Sequence, residues 1–476
     1  MARRTKIIAT LGPASDAPET LRALVAAGMD VARVPLAHGS LDEALARMHR
    51  VRRAAEEAGR SVGVLVDLPG PKIRAASFPE GGVELAEDSV VTLVPGSERS
   101  DARTVQVDYP ELLRDIRPGD VLPFGDGQVV IAVESVSGDR ALARVTTGGE
   151  LKGRPGLKLP SERVSAVTPT DDDLRKLAAF VAAGVDMVAV SFVRTAQDVR
   201  RVGTEPHPNG PLVIAKIETS TAVANLPEII HAADGIMVAR GDLGTEFAIE
   251  ELPHLQKRII LDCIAGGLPV ITATQMLDSM VDHPTPTRAE ASDVANAVFD
   301  GTSAVMLSAE TAVGQYPVEC VETMARIAER ADERFDFVRW AETVAHLRKH
   351  APQAPREAIT DAMTMAACRV AGELDAAAIV CISGSGYTVR ATARFRPKAP
   401  ILGMSANPRT VQQLTLSWGV HPLLIEPEWS YEYRVNRAIE HAKQAGLVRP
   451  GGLVVVLAGI SGDSRATDVL RCLRVP

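Results

Sequence analysis

Ile214-Ala-Lys216-Ile-Glu218, followed after a helical run by Val238-Ala-Arg240-Gly241-Asp242-Leu-Gly244, is the stretch from which the rest of the chain is read. Each half is a short apolar run ending in charge, the pattern of a buried strand whose last residues leave the core. Residues two apart on a strand share a face, so Lys216 and Glu218 point the same way. With the two strands side by side, Glu218 and Asp242 offer two hard oxygen donors to one divalent cation, with the Lys216 ammonium close by. That constellation suits an anionic substrate held on a metal. An ion pair at a strand end is the plainer reading, and two strand ends with matching chemistry weigh against it.

The same pattern repeats in both directions. Apolar runs at residues 6–10, 31–34, 63–67, 187–191, 213–217, 235–239, 270–273 and 303–307 alternate with helical periodicity at 19–27, 41–58, 171–183, 223–231, 250–266, 287–299 and 317–334. Eight such strands predict an α/β fold, a closed parallel (β/α)8 TIM barrel, in preference to an open doubly wound sheet. Just past the strands stand Thr10, Arg33, Asp67, Ser191, Lys216, Glu218, Arg240, Asp242, Thr274, Ser308 and Glu310. A barrel gathers these positions at one mouth, where such folds place their chemistry.

The third strand is not followed directly by its helix. Residues 71–166 change to short alternating runs at 90–94, 129–133 and 141–145, split by Gly, Pro and Asp turns. They predict a small inserted β-barrel or sandwich on the mouth side, either a lid that excludes water or a passive decoration. After Arg334 a polar, proline-containing stretch runs to Pro355, and a second α/β alternation follows: a helix over 356–372 and strands over 377–382, 401–404, 420–425 and 453–457. The expected domains are therefore a barrel over 1–70 and 167–340, a β lid over 71–166, and a doubly wound C-terminal α/β domain over 341–476. Ser383, Ser385 and Thr388 lie in a Gly/Ser loop before a helix, with residues 459–464 as a second wall. This loop is either a seat for an effector phosphate or an ordinary βα turn.

Composition narrows the function classes. A chain of 476 residues implies roughly three domains at ~150 residues each. No eighteen-residue window is free of charge, so no membrane span is expected, and the basic start leads straight into the first strand rather than into a signal peptide. Cys263, Cys320, Cys368, Cys381 and Cys472 are odd in number and lack CxxC spacing, which predicts buried thiols in a reducing, cytoplasmic setting. A net charge of -8 without a basic stripe makes nucleic acid an unsuitable partner.

Several stretches together resemble the pyruvate kinase family: Arg4-Thr-Lys-Ile-Ile-Ala-Thr-Leu-Gly-Pro-Ala-Ser15, Gly70-Pro-Lys72-Ile-Arg74, Lys216-Ile-Glu218, Ala239-Arg-Gly-Asp-Leu-Gly244, Pro286-Thr-Arg-Ala-Glu290 and Met306-Leu-Ser-Ala-Glu-Thr311. Their order and spacing follow the family along the whole chain. The resemblance implies phosphoryl transfer from phosphoenolpyruvate to ADP, giving pyruvate and ATP at the last step of glycolysis through an enolate stabilised by magnesium or manganese. It also implies a homotetramer with a phosphorylated allosteric effector. Residue by residue, Arg33 and Lys216 would bracket the phosphoryl, Glu218 and Asp242 would hold the metal, and the N–H groups near Gly241 and Asp242 would meet the substrate carboxylate. Ser191 would line the substrate site, and Thr274, Ser308 and Glu310 would position the water that protonates the enolate. His38 and Arg74 look like nucleotide contacts, and Asp126 in Gly125-Asp-Gly127 matches the lid aspartate.

The departures from the family pattern cluster. Where the family reads Arg-Leu-Asn-Phe-Ser-His, this chain has Arg33-Val-Pro35-Leu-Ala37-His38, without the two side-chain oxygens that help bind potassium. Where potassium-dependent members read Thr-Lys-Gly-Pro-Glu, it has Leu68-Pro69-Gly-Pro-Lys72, as in the potassium-independent branch. The expectation is activity without potassium, with Lys72 paired to Asp67 in place of the ion. Gly125 and Pro155 are further losses, again on the lid and nucleotide side. Two other readings share the metal half of the site: a magnesium-dependent barrel lyase or aldolase acting on the pyruvate enolate, and a non-catalytic paralogue that binds effectors.

Overall fold

The computed structural model describes residues 3–125, 127–350, 355–427, 430–459 and 467–476. Eight parallel strands close into a barrel: β1 Lys6–Thr10, β2 Val31–Pro35, β3 Gly63–Leu68, β4 Met187–Val190, β5 Leu212–Ile217, β6 Gly235–Ala239, β7 Val270–Ala273 and β8 Ala304–Leu307. Each pairs with the next, and β8 closes on β1. The helices between them start at side-chain caps written in the sequence. Ser40 with Glu43, Thr170 with Asp173 and Thr287 with Glu290 form reciprocal capping boxes for the helices Leu41–Glu57, Asp171–Ala182 and Arg288–Phe299.

The strands alternate between two cores. Outward residues such as Ile7, Val64, Val188, Ala215 and Val238 pack under the helices. Inward residues, among them Ile8, Val31, Leu65, Met187, Ala189, Ile214, Met237, Ala273 and Met306, fill the barrel. One further step of two along the inward series reaches Thr10, Arg33, Asp67, Ser191, Lys216 and Ser308. The alternation that packs the interior thus delivers polar side chains to the mouth.

The opposite end is closed by the C-terminal domain. Leu416 sits fully buried in the same cluster as the inward barrel residues, Lys6 Nζ donates to the Val420 carbonyl at 2.8 Å, and Gln413 Nε2 donates to the Gly210 carbonyl at 2.9 Å. The sheet of that domain runs Val420–Leu424, Ile401–Ser405, Ala378–Ile382, Leu453–Ala458, Val469–Arg474. Its last strand is antiparallel and was not anticipated from sequence.

The stretch after Arg334, expected as a polar connection, contains the helix Phe337–His350. Phe337, Trp340 and Val344 recur at helical spacing beneath the charged residues that dominate its text. Val344 is fully buried, and Trp340 flanks Arg396, whose guanidinium lies 5.2 Å from the Trp340 ring, 4.8 Å from Trp418 and 4.7 Å from Phe335. That fully buried cation stacked among three rings joins the barrel's last helices to the C-terminal domain.

The insert has its own core and is half of a barrel. A mixed sheet in the order Thr104–Val107, Val90–Pro95, Arg140–Thr147, Val129–Ser137, Val121–Phe124 is accompanied by the pair Val83–Leu85 and Gly149–Leu151. Single bridges at Arg74 to Gly156 and Phe124 to Leu157 tie the ends of the insert together as it leaves and rejoins the barrel. Among the described residues, no helix is long and apolar enough to cross a membrane.

Candidate active site

At the barrel mouth one buried carboxylate holds two cations. Asp67 accepts from Arg33 Nε at 2.7 Å and lies 3.5 Å from Lys216 Nζ. Lys216 Nζ also donates to Ser191 Oγ at 2.7 Å and meets Glu218 Oε1 at 2.9 Å. Arg33 reaches on to Thr10 Oγ1 at 3.0 Å. β3, β4 and β5 are neighbours, so Asp67, Ser191 and Lys216 come together although 149 residues separate the first from the last. Burial alone would raise the Asp67 carboxyl, but Lys216 and Arg33 hold it below the ordinary carboxylate range. Burial likewise disfavours the Lys216 ammonium, and Asp67 with Glu218 overrides it, raising the group above the usual lysine value. Glu218 is pushed up by burial, with Lys216 opposing and Asp242 reinforcing.

Two cavities meet here. The inner one, about 190 Å³, is lined by Arg33, Asp67, Ser191, Lys216, Thr274 and Ser308 among others. The outer one, about 170 Å³, lies between mouth and insert and is lined by Arg74, Lys158, Arg194, Thr245 and Glu246 among others. Lys72, Phe192, Glu218 and Asp242 line both. Among the described residues no group of three or more His, Cys, Asp or Glu converges. Glu218 and Asp242 are the carboxylates on the shared wall. Two hard oxygen donors suit magnesium or manganese, which keep their other positions for water and substrate oxygens.

Backbone strain marks the same rim. Phe192, Thr274 and Gln275 have φ of 56°, 68° and 53°, positive values that side chains disfavour. Each is held in place. The Phe192 N–H donates to Glu218 Oε2 at 2.6 Å, and Arg240, ion-paired to Asp293 at 2.6 Å, donates to the carbonyls of Ala273 and Thr274. Arg240, one of the polar strand-end residues, thus turns away from both cavities and secures the Thr274 turn.

Other expected residues divide. Thr274 and Ser308 line the inner cavity, but the Gly241 N–H expected to meet a substrate carboxylate donates to Thr274 Oγ1 at 2.8 Å. Glu310 is 1 % exposed and lines neither cavity; its carboxylate accepts the N–H groups of Leu277 at 3.1 Å and Ser308 at 2.6 Å. Glu310 therefore shapes the loop that carries Ser308 rather than facing a ligand. The Lys72 ammonium makes no hydrogen bond or ion pair among the described residues. The expected Lys72–Asp67 pair is absent because Asp67 points inward and is satisfied by Arg33 and Lys216. Pro35 lies in register with Asp67, and Pro35 and Ala37 line the inner cavity without offering side-chain oxygens. His38 is exposed and lines neither cavity, Arg74 lines the outer one, and Asp126 lies outside the described residues.

Sequence reasoning missed Lys158, whose Nζ meets Asp242 Oδ1 at 3.0 Å and Thr245 Oγ1 at 2.8 Å. A lone lysine in a Gly/Pro-containing return segment carries no local signal of such a contact. In the C-terminal domain Ser383, Ser385 and Thr388 are buried at the end of the strand Ala378–Ile382, and Thr388 Oγ1 lies 2.7 Å from Thr467 Oγ1. The expected second wall beyond Gly459 falls outside the described residues. Cys263, Cys320 and Cys381 are buried, Cys368 is half-buried, and Cys472, expected inside, is exposed on the edge strand.

Comparison with known proteins closes the question of kinship. The family model "Pyruvate kinase, barrel domain" matches residues 2–321, and "Pyruvate kinase, alpha/beta domain" matches residues 361–473. The chain belongs to the pyruvate kinase family. Over 478 residues it is 40% identical to the pyruvate kinase of Mycobacterium tuberculosis, covering 100% of this chain and 99% of that protein. It is also 40% identical over 477 residues to the Geobacillus stearothermophilus enzyme (99% of this chain, 80% of the relative) and 37% over 475 residues to that of Clostridium acetobutylicum (98% and 99%). Membership makes the chain an enzyme, a phosphotransferase.

Proposed function

We propose that the chain transfers the phosphoryl group of phosphoenolpyruvate to ADP, giving pyruvate and ATP. The observation that carries this reading is the pair of adjoining cavities sharing Glu218 and Asp242, one with Arg33 and Lys216 on its wall and the other beneath the insert. Charged side chains on the inner cavity are three cations, Arg33, Lys72 and Lys216, against three carboxylates, Asp67, Glu218 and Asp242. A balanced wall does not hold a highly anionic substrate. Glu218 and Asp242 would hold a divalent cation, which when bound would supply the positive charge that the balanced wall lacks.

The residues supply the rest. Arg33 and Lys216 flank the phosphoryl, fixed in place by their shared Asp67, so little reorganisation is needed as charge spreads over its equatorial oxygens. The bond between phosphorus and the enol oxygen breaks and that oxygen keeps the electron pair. A terminal oxygen of the diphosphate forms the new bond. The enolate then takes a proton at its methylene carbon, delivered by water beside Thr274 and Ser308, both on the inner wall.

The reading includes activity without potassium: Lys72 faces the inner cavity with a charge carried by the chain, while Pro35 and Ala37 contribute no side-chain oxygen to it. The Lys72 ammonium does this work toward the cavity rather than through Asp67. It also includes a cytoplasmic homotetramer with a phosphorylated effector seated at Ser383, Ser385 and Thr388. The deciding experiment is ATP and pyruvate formation from phosphoenolpyruvate and ADP with magnesium or manganese, coupled to lactate dehydrogenase, in tetramethylammonium buffer with and without potassium. No ATP under any metal overturns the activity, and a many-fold rise on adding potassium overturns the potassium-free reading.

A further inference from the structure

The insert is joined to the barrel by a single ion pair among the described residues, Lys158 with Asp242. Other ion pairs of the insert lie within it, such as Arg154 with Asp108, Arg163 with Asp120 and Arg144 with Glu134. Neutral and hydroxyl contacts make up the rest of the seam: Ser161 Oγ donates to Glu246 at 2.9 Å and lies within reach of Ser220 and Thr221, and Arg194 of the barrel donates to the carbonyls of Val164 and Ala166. Lys158 therefore brings the one insert cation that touches the shared carboxylate.

Position and energetics together say what this cation is for. Asp242 lines both cavities and Lys158 lines the outer one, so the ammonium stands on the outer side of the wall the two cavities share. The side chains of Lys158 and Asp242 are 25% and 37% exposed. A pair this open to solvent contributes little to stability and is a poor strut. It is, however, easily redirected: lysine has a flexible stem, three rotatable donors and a compact charge that a phosphate attracts more strongly than one carboxylate does. Arg74 and Lys72 face the same cavity, so an anion there would meet three cations from the first and last segments of the insert.

We propose that Lys158 is a nucleotide-binding residue, whose ammonium leaves Asp242 and takes the terminal phosphate of the accepting nucleoside diphosphate. The identity of the acceptor rests on the pyruvate kinase reading above. In the transfer, Lys158 offsets the repulsion between the diphosphate oxygen that forms the new bond and the phosphoryl that leaves the enol oxygen with its electron pair.

Lys158→Met and Lys158→Arg test this in the full-length chain. The expected result for Lys158→Met is a rise of at least about tenfold in the KM for ADP and in its Kd by calorimetry, with the KM for phosphoenolpyruvate within about twofold, because one charge-assisted contact is lost on one substrate only. Lys158→Arg should restore most of both, and the melting temperature should be unchanged in either variant. Unchanged ADP affinity, or equal losses for both substrates with a lowered melting temperature, overturns the proposal in favour of a strut. If the unaltered chain forms no ATP, the pyruvate kinase reading falls by itself, and ADP calorimetry on the two variants still decides the role of Lys158.

Discussion

The inner and outer cavities share a wall but are built in opposite ways. On the inner side every cation from a strand end is held by a buried acid: Arg33 and Lys216 by Asp67, which is 3% exposed, and Lys216 again by Glu218. On the outer side Arg194 of the barrel is held by the carbonyls of Val164 and Ala166, but the insert's own cations are long and lightly held. Lys158 has one carboxylate and one hydroxyl, Arg74 donates to a single carbonyl of Arg154, and the Lys72 ammonium has no partner among the described residues. Fixed charge suits a transition state whose position never varies, whereas loosely tethered charge suits a substrate that must enter, be gripped and leave. Of the family departures, Gly125 lies on the lightly built side and Pro155 beside it, whereas Pro35 and Ala37 line the inner cavity.

The sharpest way to break this contrast is Lys216→Ala. Turnover should fall by about a thousandfold or more, the scale of removing a preorganised group that meets developing charge, while manganese affinity by electron paramagnetic resonance is retained. Undiminished turnover would place the essential cation elsewhere. A middle-sized test concerns Glu310, which belongs to the buried framework rather than to the ligand wall. Glu310→Ala should cost about 1–3 kcal/mol of stability in denaturant, because two backbone donors lose their acceptor. A loss of turnover at unchanged stability would instead return Glu310 to the chemistry. The smallest effect is expected at Arg74. Arg74→Ala should raise the KM for ADP by about two- to fivefold, the worth of one solvent-screened charge contact, and leave phosphoenolpyruvate saturation unaltered. A larger effect on phosphoenolpyruvate than on ADP would erase the distinction between the two cavities.

The barrel was legible because two periodicities agree in the text. Apolar alternation along each strand told inward from outward, and the next inward residue, Asp67, Ser191 or Lys216, was polar each time. What was lost had one of two physical causes. The helix Phe337–His350 hid because its charged residues outnumber the half-buried Phe337 and Trp340 and the buried Val344. The contacts of Lys158, Arg240 and Glu310 hid because they join loops that only the closed barrel brings together. Lys158 and Asp242 are 84 residues apart, and nothing local to either announces the other. Lys72 gives the converse lesson. Five residues from Asp67 it looked like a natural partner, yet the inward turn of Asp67 gives that carboxylate to neighbouring strands.

Leu416 adds something about the molecule as a whole. The stopper at the foot of the barrel is contributed by the C-terminal domain, and above it stand Ile8, Leu65, Met187 and Leu212, all dry. Severing the chain after the barrel would leave that column of side chains open to water from below, so the eight-stranded body is not a freestanding module. Its hydrophobic account is completed only when the last third of the polypeptide has folded against it.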